Sequence, residues 1–184
     1  PFDYNLVKDG LNLDIFKHFE ETPFKSASIG QVHKAVLKNG KRVVVKLKRP
    51  GIYETMESDT DTVRKILQFF QTIGVDTGNS SDFVLNDSIQ YLLGEADYVQ
   101  EVDNAIKFRR SLRHVDWIKI PRVYKKYCTD EMIVMEYVPT DKITEIKDKK
   151  INKKKVCEAL VNSYVIQTMD SGLFHADPHP GNLG

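Results

Sequence analysis

Two β-branched runs in the first third of the chain give the clearest pattern of hydrophobic and polar positions. Residues 29–37 and 42–47 flank a Lys-Asn-Gly-Lys segment, and Asn-Gly between such runs is the strongest short-range signal for a β-hairpin. Residues 118–124 and 132–138 are two more apolar runs, separated by a polar turn at 128–131. The pattern therefore predicts an antiparallel sheet built from two hairpins that are distant in the chain.

Apolar residues at helical spacing predict the remaining elements. A short helix over residues 11–21 ends before Pro23, and a longer helix covers residues 54–73. Its apolar residues share one side: Met56, Val63, Ile66, Leu67, Phe70 and Ile73. After a polar linker at 78–82, a third helix covers about residues 83–112 with a bend at Gly94, and a mostly buried fourth helix reaches Gly172. This order indicates an α+β lobe that is joined to the start of a helical lobe.

Composition limits the functional classes. The chain has 184 residues, 41% of them hydrophobic, which is enough to bury a core in one domain or two small lobes. Its 27 basic and 26 acidic residues nearly cancel, so no overall field attracts nucleic acid, and no nucleic-acid partner is predicted. No apolar run approaches the roughly 20 residues that span a bilayer. Cys128 and Cys157 lack metal or redox spacing, which suits a reducing compartment.

The last ten residues carry the clearest candidate chemistry. Asp177 and Asn182 have the spacing of the Asp and Asn in a kinase catalytic loop, which places a base and a magnesium ligand on one loop. His175, Asp177 and His179 alternate in the same segment and could instead coordinate zinc or iron. A Pro-rich polar tail could also be a plain surface loop. The loop alone does not decide among these three interpretations.

A lysine in an apolar strand is the second candidate. Lys46 ends a Val-Val-Val-Lys run, and a lone strand lysine is most often a solvent-facing edge residue. Alternation places Lys46 on the side of Val44, where its ammonium group needs a carboxylate partner. The acidic stretch at 95–101 offers such partners. In a kinase lobe, the strand lysine contacts the α- and β-phosphates of ATP while a helix glutamate holds it in place.

One further segment fits a kinase in its position along the chain, and two features depart from the usual kinase pattern. Residues 135–138 end the last strand before a Pro-containing connector, where kinases have the hinge whose backbone binds adenine. The stretch at 23–33, however, has one glycine where ordinary kinases have a Gly-x-Gly-x-x-Gly loop over the phosphates. A complete extra helix also separates Lys46 from Glu101. A single explanation should account for both the loop with one glycine and the extra helix.

These motifs resemble the UbiB-type family of atypical kinases, also called aarF-domain kinases. The matching segments are Ser-Ile-Gly-Gln-Val-His at 28–33, the Val-x-Val-Lys strand with Arg-Pro-Gly at 43–51, Glu-Ala-Asp at 95–97 and His-x-Asp-Pro-His-Pro-Gly-Asn at 175–182. The resemblance covers nearly all of residues 22–184. It implies a helical lead-in over 1–22, a protein-kinase-like N-lobe over 23–138, and a hinge connector with the beginning of a helical C-lobe over 139–184.

The resemblance also implies roles for individual residues. Lys46 would contact the phosphates, Glu101 would be its ion-pair partner, and Asp177 would be the catalytic-loop aspartate. Asn182 would be a Mg²⁺ ligand, with the second ligand beyond the chain end. The family's own acidic pair would be Glu95 and Asp97. Nucleotide binding is implied for Ser26, Ala27, Ser28, Ile29, Gly30, Met135, Glu136 and Val138.

The family implies ATP and Mg²⁺ as cofactors and phosphoryl transfer or ATP hydrolysis as the activity. It suggests a context in ubiquinone or other prenyl-lipid biosynthesis, at a mitochondrial, plastid or bacterial membrane, with a lipid or small molecule as acceptor. The chain contains neither the family's Lys-x-Gly-Gln motif nor an Asp-Phe-Gly motif, so we expect it to be incomplete for catalysis by itself. Lys25 and Ser26 replace family alanines, which leaves the preference between ATP and ADP open. A non-catalytic nucleotide-binding regulatory module is the alternative.

A cluster of lysines follows the hinge. Its members are Lys147, Lys149, Lys150, Lys153, Lys154 and Lys155. A solvated connector and helix start is the more usual meaning of such a cluster. The alternative is peripheral contact with an anionic membrane, worth roughly 1 kcal/mol per lysine near the surface.

Overall fold

A five-stranded antiparallel sheet is the framework of the computed structural model. The structure describes residues 1–26, 29–73, 94–141, 143, 151–175, 179 and 183–184, without the side chains of Asp9, Leu67 and Gln71. The strands are β1 (Phe16–Phe19), β2 (Lys25–Ser26), β3 (Gly30–Leu37), β4 (Arg42–Lys48) and β5 (Met132–Glu136). The helices are α1 (Ile52–Thr72), α2 (Tyr98–Ser111) and α3 (Lys153–Val165), and α3 continues as a π-helical segment, Ile166–Ser171. This is the α+β combination that the sequence predicts.

The strands lie in the order β1-β3-β4-β5, and β2 pairs with β3 beside β1. β3 and β4 form the predicted hairpin, in which Gly40 has a φ of 81° and donates its N–H to Leu37 O at 2.8 Å. Glycine adopts this left-handed conformation without the steric cost that other residues meet. In the registers of the sheet, Lys46 of β4 lies between Val32 of β3 and Ile133 of β5.

Alternation along β4 gives the sheet two different faces. We call the side that carries Val43, Val45 and Leu47 the closed face, since all three residues are at most 1% exposed. It packs against Tyr4, Phe16, Met132 and Val134, together with the short 3-10 turns of the first fifteen residues. We call the side that carries Val44, Lys46 and Lys48 the cleft face. Its core consists of Ile29, Ile52, Ala96, Tyr98, Val102 and Ile133.

The helix predicted over residues 11–21 is wrong. A 3-10 turn, Leu13–Ile15, is followed by β1, whose Phe16 lies opposite Leu37 of β3. The Phe19 ring stacks on Tyr4 with ring centres 5.4 Å apart. Pairing along β3 and burial of the two phenylalanines therefore override a local pattern that also fits a helix.

The strand predicted over residues 118–124 is reduced to one bridge, between Val123 and Met135. Two backbone hydrogen bonds flank this bridge, from Tyr124 N–H to Val134 O and from Glu136 N–H to Arg122 O, both 2.8 Å long. Pro121 immediately precedes them and has no N–H to continue the ladder. The outer neighbour of β5 is therefore too short to be a strand.

The predicted helix over 54–73 is present as α1, but it packs only near its start. Ile52 and Met56 join the core of the cleft face, whereas Val63, Ile66 and Ile73 are 42%, 49% and 56% exposed.

The prediction of a mostly buried fourth helix is wrong, since α3 has no buried residue. The reason is that no described element covers its apolar side. Among the described residues, no helix has both the length and the apolar character needed to cross a membrane.

The helix predicted over about 83–112 is interrupted. Residues 74–93, which include the predicted linker at 78–82, lie outside the described ranges. In the described part, Asp97 has a non-helical backbone and caps α2, which begins at Tyr98. The break therefore falls three residues after Gly94, because the Asp97 carboxylate accepts the Gln100 N–H at 2.9 Å in place of a helical carbonyl.

Candidate functional site

An ion pair between Lys46 and Glu101 is the centre of the candidate site. Lys46 Nζ donates to both carboxylate oxygens of Glu101, at 2.8 Å to Oε1 and 2.7 Å to Oε2. The Lys46 side chain is 20% exposed and that of Glu101 is 38% exposed. The carboxylate thus fixes the direction of the ammonium group, while the lysine keeps enough access to solvent to meet an anionic ligand.

Two local features bring the pair together across 55 positions of sequence. Lys46 lies on the cleft face because of its place in the alternation of β4. Glu101 lies in the first turn of α2, where the helix dipole favours a negative charge. The cap at Asp97 determines where this helix begins, and it thereby determines the position of Glu101 relative to Lys46.

Tyr98 is a neighbour of the ion pair that reasoning from sequence did not identify. The centre of its ring is 4.7 Å from Lys46 Nζ and 4.9 Å from Lys48 Nζ. Burial, and secondarily the negative charge of Glu101, raises the pKa of the Tyr98 hydroxyl. That hydroxyl has no hydrogen-bond partner among the described residues. Tyr98 precedes Glu101 by three residues, so helical spacing alone places both on one side of α2 and could have revealed it.

Lys48 is the second residue that the sequence did not reveal. It is only 7% exposed, and its ammonium group lies 4.9 Å from the ring centres of both Tyr53 and Tyr98. The Tyr53 hydroxyl donates to Ala96 O at 2.8 Å, which ties α1 to the start of α2. The electron-rich faces of two tyrosines therefore stabilise this buried cation.

The segment that corresponds to the phosphate loop is described in part. Ser26 ends β2 and is exposed, whereas the predicted nucleotide contacts Ala27 and Ser28 lie outside the described ranges. Ile29 is 6% exposed and belongs to the core of the cleft face. Its side chain therefore anchors the end of this segment, and its proposed contact with nucleotide stays a prediction.

Gly30 is required for close packing at the start of β3. A Cβ atom on this residue would lie 2.5 Å from Leu47 O and 2.5 Å from the Tyr98 hydroxyl oxygen. Neither a backbone carbonyl nor a fully buried tyrosine can move easily away. The single glycine of this segment thus has a structural reason that is independent of any phosphate.

The predicted hinge runs from the end of β5 into the connector. Glu136 N–H and Tyr137 N–H already donate, to Arg122 O at 2.8 Å and to Arg42 O at 3.2 Å. The Glu136 carboxylate accepts from Lys119 Nζ at 2.7 Å and from Arg122 N–H at 3.1 Å. These bonds, with that from Lys119 the strongest cause, lower the pKa of Glu136. The Glu136 carboxylate is therefore already engaged by Lys119 and Arg122.

Among the predicted hinge residues, Val138, which lies just beyond β5, remains as a backbone candidate for adenine. The backbone of Met135 pairs with Val44 of β4, so Met135 could meet a nucleotide only through its half-buried side chain. Met135 also joins the partly buried side chains around the core of the cleft face. An adenine ring at this place would meet the sheet on the same face as Lys46.

The predicted acidic pair lies at the start of α2. Glu95 is exposed and Asp97 is half-buried as the helix cap. Capping explains Asp97 without any ligand, so the structure supplies a local role for one member of the pair. The two carboxylates lie one to two helical turns before Glu101 in the chain, close to the positive end of the helix.

The predicted catalytic-loop residues Asp177 and Asn182 lie outside the described residues. The approach to them is described: the His175 N–H donates to Gln167 Oε1 at 3.0 Å, and Gln167 is 5% exposed. Gln167 lies in the π-helical segment, where Ser171 Oγ also donates to its carbonyl at 2.9 Å. The described residues contain no group of three or more metal-ligating side chains. The alternative zinc or iron cluster includes Asp177, so it lies partly outside the described residues and the structure does not test it.

Comparison with known proteins identifies the kind of lobe to which this site belongs. A family model described as the ABC1 atypical kinase-like domain matches residues 9–184. Rv3197 of Mycobacterium tuberculosis, solved in complex with erythromycin, has a similar structure with a TM-score of 0.82 and 25% identity. That match covers 99% of this chain and 48% of the other. The predicted protein-kinase-like N-lobe is thereby confirmed as the fold.

Two curated relatives show the same family from sequence. ACTIVITY OF BC1 COMPLEX KINASE 7, a chloroplastic protein of Arabidopsis thaliana, is 38% identical over 172 residues, covering 92% of this chain and 25% of that protein. The probable protein kinase UbiB of Shewanella sp. (strain ANA-3) is 34% identical over 197 residues, covering 100% of this chain and 36% of that protein. The chain thus spans about a quarter to a third of the length of these relatives.

Proposed function

The chain belongs to the ABC1 atypical kinase-like family, and from that premise we propose that it forms the ATP-binding part of an atypical kinase or ATPase of the UbiB type. The observation that carries the proposal is the two-oxygen contact between Lys46 and Glu101. This pair must be in place for phosphoryl transfer in kinases. The contact also leaves the Lys46 side chain 20% exposed, so its ammonium group can reach an anionic ligand.

The residues present fit the triphosphate of a nucleotide. Lys46 supplies a fixed positive charge with access to solvent, and Glu101 sets its direction. Lys48, which is buried between two tyrosine rings, adds positive charge to the same face without direct access to a ligand. When bound, ATP would supply the transferable phosphoryl group and Mg²⁺ would neutralise the charge between its phosphates. The work of this chain would be positioning and charge stabilisation. Asp177 would orient or deprotonate the acceptor, and Asn182 would hold the metal.

A pair of variants in the full-length protein tests this function. Lys46→Met should abolish nucleotide binding or weaken it at least tenfold, and Asp177→Asn should leave binding intact while phosphate release falls at least 100-fold. Binding is measured by calorimetry with ATP and ADP, and release with a phosphate assay in the presence of Mg²⁺. Lys65→Met, an exposed position on α1, is the matched control and should change neither quantity. Phosphate release that survives Asp177→Asn would show that the catalytic assignment is wrong.

A non-catalytic nucleotide-binding module is the second candidate. It is favoured by Gly30, the only glycine between residues 23 and 33, because its packing against Tyr98 explains the residue without an approach to phosphate. In that case nucleotide would bind through Lys46 and shift the protein between two states without being hydrolysed. The same measurements separate the two candidates: binding that depends on Lys46, without any phosphate release by the wild-type protein, would establish the regulatory module.

A lipid or small-molecule acceptor and peripheral contact with a membrane remain part of the proposal. Lys153, Lys154 and Lys155 are exposed in the first turn of α3, and Asn152 caps that turn by accepting the Lys154 N–H at 3.0 Å. Positive charges at this end oppose the helix dipole, so they do not stabilise the helix. Glu158 Oε1 lies 3.9 Å from Lys154 Nζ, and an anionic surface would be a partner for the remaining positive charge. The other three lysines of the cluster lie outside the described residues.

The chloroplastic and bacterial relatives favour a plastid or bacterial membrane as the place of action, and the name UbiB favours a link to ubiquinone or related prenyl lipids. Sedimentation of the full-length protein with anionic vesicles, compared with a Lys153→Gln/Lys154→Gln/Lys155→Gln variant, tests the membrane contact. Equal sedimentation of the two proteins would contradict it.

A further inference from the structure

A basic cavity of about 450 Å³ lies where β4 begins and β5 ends, at a distance from the Lys46–Glu101 pair. Arg42 precedes Lys46 by four strand positions, which corresponds to roughly 13 Å. Arg109 follows Glu101 by eight helix positions, which corresponds to roughly 12 Å. The cavity is therefore separate from the nucleotide site that we propose. Its charged lining residues are Lys41, Arg42, Arg109, Lys119, Arg122 and Glu136.

Aromatic rings hold three of these cations in place. The guanidinium carbon of Arg42 lies 5.6 Å from the centre of the Tyr137 ring, and that of Arg122 lies 5.7 Å from the Tyr124 ring. Lys41 Nζ lies 5.7 Å from the same Tyr124 ring. Because these contacts limit the freedom of long side chains, a ligand would lose less conformational entropy when it orders them.

The described residues balance only part of the positive charge in the cavity, since Glu136 pairs with Lys119 and interacts more weakly with the charge of Arg109. Among the described residues that line the cavity, Glu136 is the only acidic one, and its carboxylate is already bound by Lys119 Nζ at 2.7 Å and by the Arg122 backbone N–H at 3.1 Å. The described part of the chain has no carboxylate at ion-pair distance from Lys41, Arg42, Arg109 or the Arg122 side chain. Several like charges that face one space repel each other unless an anion joins them.

We propose that this cavity binds an anion that carries phosphate groups, either as a free small molecule or on a lipid headgroup. Three guanidinium groups favour phosphate, since each presents a planar set of donors that pairs with two oxygens at once. A single carboxylate would leave most of the charge unbalanced. The volume lies within the range of small-ligand sites. The proposal does not depend on nucleotide binding at Lys46.

Calorimetric titration with inorganic pyrophosphate tests the site in the full-length protein. A Lys46→Met background removes the phosphate contact that we propose for nucleotide, so the remaining heat reports on other sites. In this background Arg109→Gln/Arg122→Gln should weaken pyrophosphate binding at least tenfold. The matched control, Arg110→Gln/Arg113→Gln, removes the same charge from exposed neighbours outside the cavity and should leave the affinity within twofold.

Equal affinity of the two double variants, or the absence of pyrophosphate binding in the Lys46→Met background, would overturn the proposal. Circular dichroism verifies that each variant is folded. If the cavity variant does not fold, Lys41→Gln takes its place, since Lys41 lies in an exposed turn before β4. A threefold weaker affinity is then expected, and an unchanged affinity would overturn the proposal in the same way.

A second arm identifies the source of the phosphate. Phosphatidylcholine vesicles with and without phosphatidic acid are sedimented with the protein and with both double variants. Sedimentation that requires phosphatidic acid, is lost only in Arg109→Gln/Arg122→Gln and is displaced by pyrophosphate assigns the anion to a lipid headgroup. Pyrophosphate binding without such sedimentation assigns it to a free molecule. Both outcomes support the cavity as the binding site.

Discussion

The two faces of the sheet differ although the same strands supply both. On the closed face, Val45 is completely buried among aliphatic and aromatic side chains. On the cleft face, the next residue along β4 is Lys46, which is paired with Glu101 and partly open to solvent. Adjacent residues of one strand therefore belong to a dry core and to a charged site. The difference shows how a period of two separates stability from chemistry within a few residues.

The buried polar groups also have different kinds of partner on the two faces. On the closed face, Gln31 Oε1 accepts the Phe2 N–H at 3.1 Å, and His33 Nδ1 donates to Glu20 O at 2.8 Å. These bonds fasten the N-terminal segment over the sheet. On the cleft face, the lysines are stabilised by one carboxylate and two tyrosine rings instead. Polar groups of the closed face thus maintain the fold, whereas those of the cleft face present charge to a ligand.

Gly30→Ala should give the largest effect, because Gly30 contacts both β4 and the tyrosine of the cleft face. The new Cβ would lie 2.5 Å from both Leu47 O and the Tyr98 hydroxyl oxygen, so β3 or α2 has to shift. We expect a loss of about 3 kcal/mol in stability. Hydrogen exchange of β3 and β4 amides in the full-length protein measures it.

Gly10→Ala is the matched control for this variant, since nothing lies within 4 Å of a Cβ atom built on Gly10. Its effect should be within the error of the exchange measurement. Protection in Gly30→Ala that equals that of the control would show that the close contact with Tyr98 is not a constraint in solution.

Neighbouring substitutions on β4 should separate the two faces directly. Val45→Ala creates a cavity in the closed face and should cost about 2 kcal/mol in stability, while the affinity for nucleotide stays the same. Lys46→Met should do the reverse. Hydrogen exchange and calorimetry are carried out on both variants. A loss of nucleotide affinity in Val45→Ala as large as in Lys46→Met would contradict the separation of the faces.

The sequence predicted the elements that depend on a local signal, and it also predicted one contact between residues that are distant in the chain. The hairpin around Gly40 follows from Asn-Gly between β-branched runs, and the pairing of Lys46 with Glu101 follows from the family resemblance. β1 was missed because its apolar residues also fit a helix, and only the adjacent edge of β3 decides between the two. Helical spacing places Tyr98 beside Glu101, but only the fold shows that its ring lies against Lys46 and Lys48 and that Gly30, 68 positions away in the chain, packs against it.

Tyr98→Phe should have a smaller effect, and one that is opposite in sign. The Tyr98 hydroxyl is fully buried and has no hydrogen-bond partner among the described residues, so its removal should raise stability by about 1 kcal/mol. Phenylalanine keeps the aromatic face for Lys46 and Lys48. The thermal unfolding midpoint measures the gain, and Tyr127→Phe at a half-buried position on the closed face is the control. A clear loss of stability would show that the hydroxyl has a partner in solution.

His33→Phe removes the bond to Glu20 O at every pH, and in addition it should abolish a dependence of stability on pH, which is the smallest effect considered. Burial, only partly offset by the bond to Glu20 O, lowers the pKa of His33 below its ordinary value of 6.5. As the pH falls through 6.5, the histidine therefore takes up a proton in the unfolded chain but not in the folded chain. Stability decreases from pH 6.5 down to the pKa of the folded state. Above pH 6.5 the imidazole is neutral in both states. Phenylalanine fits between the rings of Tyr4 and Phe19 and removes this dependence. Unfolding midpoints between pH 5.5 and 8 measure it. The exposed control His18→Gln should keep the dependence of the wild-type protein, and a His33→Phe variant that also keeps it would show that another group on the closed face titrates.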